Sequence, residues 1–369
     1  MIPVADPKAS YLAHKQDLDR TISEVMENGW YIFGPRVHAF ESHFASYLGA
    51  RFCVGVGNGT DAIQLGLRSI GVESGDAVIT ASHTAVATVS AIDWIGATPV
   101  LVDIDPATFT LDPQKVEETI MGLSGRVKAI VPVHLYGHPA DMGTIINLAR
   151  QHGIMVLEDC AQAHGAKIGI QKVGTIGLCG SFSFYPTKNL GAFGDGGAIV
   201  TDDSKIEERL RLLQQYGWRD RYISDAAGYN SRLDEIQAAI LDYKLAWLEE
   251  GNQRRRAIAK RYNDGLKDLP LDLPMERPGF QHVYHQYVIR CPARDELRKH
   301  LATQGISTTI LYPMPVHQQP GYSDKVIVGE GGLNVTELLA KEILCLPMFP
   351  ELSDTDVDRV IQGARSFWK

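Results

Sequence analysis

Nowhere in this chain is there an apolar run long enough to cross a bilayer, and the N-terminus, MIPVADPKAS, lacks the basic-then-apolar pattern of a secretory leader. A cytoplasmic protein with no membrane contact is therefore expected. Cysteine is sparse: Cys53, Cys160, Cys179, Cys291 and Cys345 are odd in number and scattered, and no CxxC pair occurs. That pattern supports neither a disulfide framework nor a thiolate zinc site, so buried reduced thiols and no metal are expected. A basic stripe is missing as well, and a formal net charge of -8 does not suit a nucleic-acid polymer. Local backbone donors and a few cations can still hold a small anion. Two familiar phosphate loops are absent, since the chain has neither GxGxxG after a strand nor GxxxxGK[ST]. Internal repeats and low-complexity segments are also lacking.

What is present is an ordinary globular composition, 44% hydrophobic and 22% charged. At 369 residues the chain exceeds the size at which a single core stops growing, so two domains are expected. Up to about residue 245, short β-branched runs at 52–56, 77–80, 99–103, 129–134, 155–158, 181–185 and 198–201 alternate with longer amphipathic segments such as 60–70, 84–95 and 142–151. This rhythm predicts an α/β fold with a mainly parallel sheet covered by helices on both faces. The last strands follow each other without full helices between them, which points to a mixed-direction edge. Residues 233 to about 267 read as one long helix, opened by Asp234-Glu235. Proline-rich turns at 269–278, a short strand near 284–290, a helix near 295–304, a loop at 312–320 and a final helix near 354–367 complete a smaller α+β domain. The predicted division is residues 1–245 and 246–369.

Three segments of the α/β part carry chemistry. Gly-Asn-Gly-Thr-Asp at 57–61 follows a strand and opens a helix. Glycines let backbone approach an anion there, and a helix start offers unsatisfied N–H groups and a favourable dipole. Read alone, the same turn is also an ordinary cap, with Thr60 or Asp61 capping. Glu-Asp-Cys-Ala-Gln-Ala-His at 158–164 ends a strand, which aims an acid into the crevice where α/β sheets bind ligands. Such a carboxylate can keep a ring nitrogen protonated, though Asp159 could equally cap a turn and His164 could be a packed imidazole. In Ser-Phe-Ser-Phe-Tyr-Pro-Thr-Lys-Asn-Leu-Gly-Ala-Phe-Gly-Asp-Gly-Gly at 181–197, a lysine stands between an apolar strand and a glycine loop. Burial or a cationic neighbour would lower the pKa of that amine and free it for Schiff-base chemistry. A structural lysine stays compatible with the segment by itself. The order is more telling than any part: an anion-binding helix start, then an acid after a strand, then a lysine after the next strand. It is the order of a pyridoxal-phosphate (PLP) enzyme.

With these segments in place, the chain resembles the DegT/StrS-type sugar aminotransferases, from Ile2-Pro3-Val4 to Leu346-Pro347-Met348. The likeness is carried by GNGTDA (57–62), PVLVDID (99–105), PVHLYGHPADM (132–142), LEDCAQAHGA (157–166), SFYPTKNLGAFGDGGA (183–198), YNSRLDEIQAAIL (229–241) and YPMPVH (312–317). It implies the PLP fold of type I, aspartate-aminotransferase-like, and PLP as cofactor. Lys188 would be the Schiff-base lysine and proton shuttle, Asp159 the partner of the pyridinium nitrogen, and Gln162 a neighbour of the ring hydroxyl. Gly59, Thr60 and Ser183 would hold the phosphate, and Asn230 would reach in from a second copy, so a homodimer with shared sites is implied. The sugar would lie near Tyr185, Phe193, Tyr312 and His317. L-glutamate would donate the amine to a nucleotide-linked keto-sugar. The motifs look most like branches acting on dTDP-linked 3-keto-6-deoxyhexoses, with 4-keto sugars second and a non-catalytic regulator of the same fold as the alternative of another class. Retention of Lys188 disfavours the dehydratase branch, which replaces it with histidine. Two positions depart from the family pattern. The stretch Thr84-Ala85-Val86-Ala87-Thr88 has Ala85 where an aromatic commonly stacks on the ring, so either His83 supplies that contact or the face is open. Leu311 stands where a histidine is frequent.

Overall fold

A computed structural model describes residues 1–123 and 125–369. The seven predicted β-branched runs and an eighth strand that was not expected, Ile327–Val328, pair into one sheet. Its order is Phe52–Val56, Gly197–Thr201, Cys179–Ser183, Met155–Asp159, Val127–Val131, Ala77–Ala81, Thr98–Val102 and Ile327–Val328. All neighbours are parallel except at Gly197–Thr201, which runs antiparallel to both of its own. The reversed strand is thus one place in from the edge rather than at it, because Phe52–Val56 closes its outer side with Cys53 opposite Val200.

Strands covered on both faces need apolar residues at every position, and Val78, Ile79, Ile130, Val131 and Leu157 are all buried. Alternate side chains go to opposite faces. Val78, Ala129 and Leu157 meet Ala62, Ile63 and Leu65 of helix Gly59–Ser69, whereas Ile79, Ile130 and Val156 meet Met142, Ile145 and Leu148 of helix Met142–His152. At the far edge, Phe40 and Phe44 of helix Pro35–Leu48 pack edge-on against Phe182 and Phe184. All five cysteines are buried and unpaired. Among the described residues, no helix is long and apolar enough to cross a membrane.

Residues 233–267 do not form one helix but two, Glu235–Leu245 and Leu248–Leu266. The first packs on helices Pro35–Leu48 and Lys15–Asn28, the second on the terminal helix Asp354–Phe367. These partners lie in different directions, and the chain turns between them at Ala246 and Trp247, where the Trp247 ring lies 5.0 Å from His14. A second core follows, in which Ile258, Tyr262, Leu301, Val357 and Val360 surround the antiparallel pair Tyr287–Arg290 and Ile343–Leu346. Ile2 joins this core, held by Ile2 N–H to the Gly305 carbonyl (2.7 Å) and Ser307 N–H to the Ile2 carbonyl (2.9 Å). In return, Ile327–Val328 extends the large sheet.

Candidate active site

The carboxyl ends of the parallel strands converge on a cavity of about 400 Å³. Gly59 and Thr60 enter it from the first turn of helix Gly59–Ser69. Neither Thr60 nor Asp61 is the cap, as the sequence suggested; Asn58 is, its side-chain oxygen accepting from the Asp61 N–H at 2.9 Å. The cap role is therefore filled by a neighbour, and the first-turn amides have no intrahelical acceptor. Gly59 has to be glycine, since a Cβ there would stand 2.5 Å from the Ser183 Cβ. That close approach brings the helix start and the Ser183 hydroxyl together.

Asp159, the last residue of its strand, is buried and aimed into the same cavity. Its carboxylate accepts from Thr88 Oγ1 (2.9 Å) and the Ala161 N–H (3.1 Å), and Thr84 bonds Thr88 behind it at 3.0 Å. Burial raises its pKa above the ordinary value, against the opposing pull of these donors and of Lys188. No cation lies within 4.0 Å of this carboxylate among the described residues.

Lys188 stands in the loop after Cys179–Ser183. The loop folds back through Lys188 N–H to the Tyr185 carbonyl and Ala192 N–H to the Phe184 carbonyl, both 2.8 Å. Gly191 permits this, because a Cβ at that position would meet the Pro186 carbonyl oxygen at 2.5 Å. Burial pushes the Lys188 amine down to about 8, with Asp159 opposing. At pH 7 roughly a tenth is thus the free, nucleophilic amine, far more than an ordinary lysine offers.

Of the residues singled out from sequence, Gly59, Thr60, Asp159, Gln162, Ser183, Tyr185 and Lys188 line this one cavity. Gln162 accepts from the Tyr136 N–H (2.7 Å) and donates to the Tyr312 hydroxyl (3.2 Å), so Tyr312 sits one hydrogen bond behind the wall. His317 is further out, bonded to Ser82 Oγ (2.7 Å) and Glu337 (3.1 Å). Phe193 is not in the lining; it packs edge-on to Tyr11 and beneath the Lys244 ammonium. Asn230 is exposed and outside it too, although its neighbour Ser231 ties this segment to the helix start, donating to Asp61 at 2.6 Å.

His83 does not face the cavity. Its ring is buried, bonded to the Tyr136 hydroxyl at 2.8 Å and edge-on to Phe109, and burial holds its pKa down near 4. Ala85 lines the cavity instead. Sequence reasoning missed Thr88, Trp94 and Asp195 in the lining. Thr88 was visible as the end of the Thr84–Thr88 stretch; Trp94 and Asp195 carried no local signal. A buried group of His134, Glu158 and Cys160 lies nearby. Glu158 is already satisfied by the amides of Gly174, Ile176 and Gly177 and by His134, which makes it a folding bracket.

The family model for DegT/DnrJ/EryC1/StrS aminotransferases matches residues 13–365. The chain belongs to that family. A dTDP-3-amino-3,4,6-trideoxy-alpha-D-glucose transaminase of Streptomyces venezuelae is 45% identical over 99% of this chain and 96% of its own. A dTDP-3-amino-3,6-dideoxy-alpha-D-galactopyranose transaminase of Aneurinibacillus thermoaerophilus is 43% identical over 100% and 99%. Among solved structures, S. venezuelae DesV in complex with a ketimine intermediate superposes with a TM-score of 0.95 at 45% identity, covering 99% of this chain and 98% of that one. The protein is a sugar aminotransferase of the PLP fold, and its cofactor is pyridoxal phosphate. The cavity fits that group: a glycine cradle with free amides for a phosphate, a buried carboxylate lacking an ion pair for a ring nitrogen, and a free amine for an aldehyde.

Proposed function

We propose that this aminotransferase moves the amino group of L-glutamate onto C3 of a dTDP-linked 3-keto-6-deoxyhexose, giving a dTDP-3-amino-3,6-dideoxyhexose. The observation carrying this reading is the meeting of Lys188, Asp159 and the Gly59–Thr60 helix start in one cavity. The similarity to dTDP-3-amino-sugar transaminases supports the choice of sugar.

When bound, pyridoxal phosphate supplies an aldehyde to take up the amine and a ring that accepts the electrons of the broken C–H bond. The amides of Gly59 and Thr60, with the Ser183 hydroxyl, hold the phosphate end. Asp159, kept in place by Thr88 and the Ala161 amide, holds a proton on the ring nitrogen. A cationic partner there reverses the effect of burial and favours the ionised carboxylate. Lys188 would hold the cofactor through its amine and, when free, would take the proton from the donor Cα and give it back, with the reverse order serving the sugar. Gln162, braced by Tyr136 and Tyr312, would sit by the ring hydroxyl. Ala85 has no ring to offer and His83 is turned away, so neither would stack on the cofactor; the aromatic that helix Val86–Trp94 adds to the lining is Trp94.

Tyr185 lines the sugar side, and Phe193, Tyr312 and His317, all outside the lining, support it from behind. Asn230, exposed in its own chain, reaches the phosphate of a second copy, so the working unit is a homodimer acting in the cytoplasm. The chain divides functionally into 1–245 and 246–369. The second core around Tyr262 supports that division, with Ile327–Val328 as a segment returned to the large sheet. The test is to offer dTDP-3-keto-6-deoxyglucose and -galactose beside dTDP- and UDP-linked 4-keto sugars, with glutamate, and to read aminated products by mass. Turnover of a 3-keto sugar is expected; turnover of 4-keto sugars alone would overturn the choice.

A further inference from the structure

Lys188 also borders a second, smaller cavity of about 60 Å³, on which Asn189, Lys244 and Arg255 converge with Asp6 and Glu351. It adjoins a larger space of about 370 Å³ that shares Asn189, Lys244 and Glu351. Two cations in this wall lack a counter-ion. Arg255 is buried, and its Nη1 donates only to the carbonyls of Met348 (2.9 Å) and Tyr284 (3.4 Å). Lys244 Nζ donates to the Gly191 carbonyl at 2.5 Å and lies 5.2 Å over the Phe193 ring. Among the described residues, neither has a carboxylate oxygen within 4.0 Å. Of the two acids in the wall, Asp6 is engaged as a helix cap to the Ala9 N–H (3.0 Å), and Glu351 acts on both cations only from beyond ion-pair distance. Burial holds Lys244 down near 8 and Arg255 near 10.

Buried cations without partners are strongly unfavourable, and a ligand carboxylate removes that penalty. The smaller cavity is a fraction of the size of the one in which Lys188 meets Asp159, which suits a small group such as a carboxylate. We propose that this cavity anchors the side-chain carboxylate of the amino donor, with Arg255 and Lys244 as its ligands. The donor's amine then lies toward Lys188, which borders both cavities. Asn189, tied to Asn252, Val283 and His285, is fixed in the wall of the smaller cavity. This inference rests on the glutamate reading above. A free small organic acid acting as an effector would share the same chemistry.

The experiment has two arms. In the first, the half-reaction with L-glutamate is followed by loss of cofactor absorbance in the wild type, Arg255→Gln, Arg255→Lys, Lys244→Gln and Glu351→Gln, with L-alanine as a donor lacking the second carboxylate. The half-saturating glutamate concentration should rise roughly tenfold or more in both Gln variants of the cations. It should rise less in Arg255→Lys and fall in Glu351→Gln, while the weak reaction with L-alanine stays unchanged in all. In the second arm, glutarate is titrated calorimetrically into the cofactor-free chain, with neutral glutaramide as control; binding of glutarate should be lost in Arg255→Gln and Lys244→Gln. Should Arg255→Gln fail to fold, Lys244→Gln carries the same comparison. Folded variants with wild-type glutamate saturation would overturn the proposal. So would glutarate binding that these variants abolish without changing the glutamate half-reaction, since that marks an effector site. A wild type inert to glutamate would instead defeat the functional reading, and the glutarate titration would still read the site separately.

Discussion

Replacing Gly59 with alanine tests the cofactor cradle at its tightest point. The added Cβ would lie 2.5 Å from the Ser183 Cβ and 3.1 Å from both its Cα and its Oγ, where carbon pairs rest at about 3.5–4.0 Å. Because one of these contacts is backbone, rotating a side chain cannot relieve it. The helix start or the strand end must retreat by roughly 1 Å, and overpacking of this kind costs about 1–3 kcal/mol. Alanine's gain in helix propensity is about 0.5–1 kcal/mol at an interior position, and less in the first turn, so it does not offset that cost. The same substitution at Gly251, inside helix Leu248–Leu266, meets only Pro350 Cγ at 3.4 Å, so there the propensity gain should win. Thermal unfolding should therefore move down by a few degrees in Gly59→Ala and slightly up in Gly251→Ala. The functional effect should be larger. Displaced amides lose bonds to a charged phosphate worth about 1.5–3 kcal/mol each, so losing one weakens cofactor binding by roughly tenfold to a hundredfold. Titrating pyridoxal phosphate into the cofactor-free chains measures this. Wild-type cofactor affinity in Gly59→Ala, or a raised unfolding temperature there, would refute the assignment of this turn.

Further outcomes follow from the same geometry. Asp159→Asn should keep the cofactor but slow the glutamate half-reaction by roughly a hundredfold or more, because a fixed charge next to the ring is lost; an unchanged rate would remove Asp159 from the chemistry. In the cofactor-free chain, trapping of Lys188 by an aldehyde and borohydride, read by peptide mapping, should rise with pH and level off above about 8, since only the free amine reacts. A rise continuing to the ordinary lysine range would contradict its burial. Five buried histidines, His83 and His138 near 4, His164 near 3, and His282 and His285 well below their ordinary value, are held neutral by burial. The unfolded chain takes up protons below about pH 6.5 and the folded chain does not, so stability is full above that pH and is lost as pH falls toward 4. The slope is up to about 1.4 kcal/mol per pH unit for each histidine, and urea midpoints that agree at pH 7 and pH 5 would contradict it. Mixing Lys188→Ala with Asn230→Ala chains should restore activity that neither has alone if sites are shared between copies.

The large sheet was legible because strands buried on both faces must be β-branched and apolar throughout, and runs such as Val78-Ile79 and Ile130-Val131 have few other uses. Lys188 was legible because a lysine between an apolar strand and a glycine loop is hard to explain by solvation. The break at Ala246–Trp247 was not, because neither residue is a breaker; the turn comes from two helices finding different partners. The N-terminal helices had signals that went unused, with Gly29 and Gly49 ending them at φ +72 and +83 and Pro35 opening the second. His83 shows the opposite failure. Its place in the sequence beside Thr84 and Ala85 suggested the cofactor face, but its ring turns inward to Tyr136 and Phe109. Tyr312 meets the cavity wall through its hydrogen bond with Gln162, a contact that exists because the chain returns from the second core, and no local pattern encodes it.

The most direct test of the whole account is the colour of the purified enzyme. The holoenzyme should be yellow, lose that absorbance on addition of L-glutamate with release of 2-oxoglutarate, and regain it when a dTDP-3-keto-6-deoxyhexose is added and aminated. A holoenzyme whose spectrum ignores glutamate, or a colourless Lys188→Ala variant that still aminates the sugar, would contradict it.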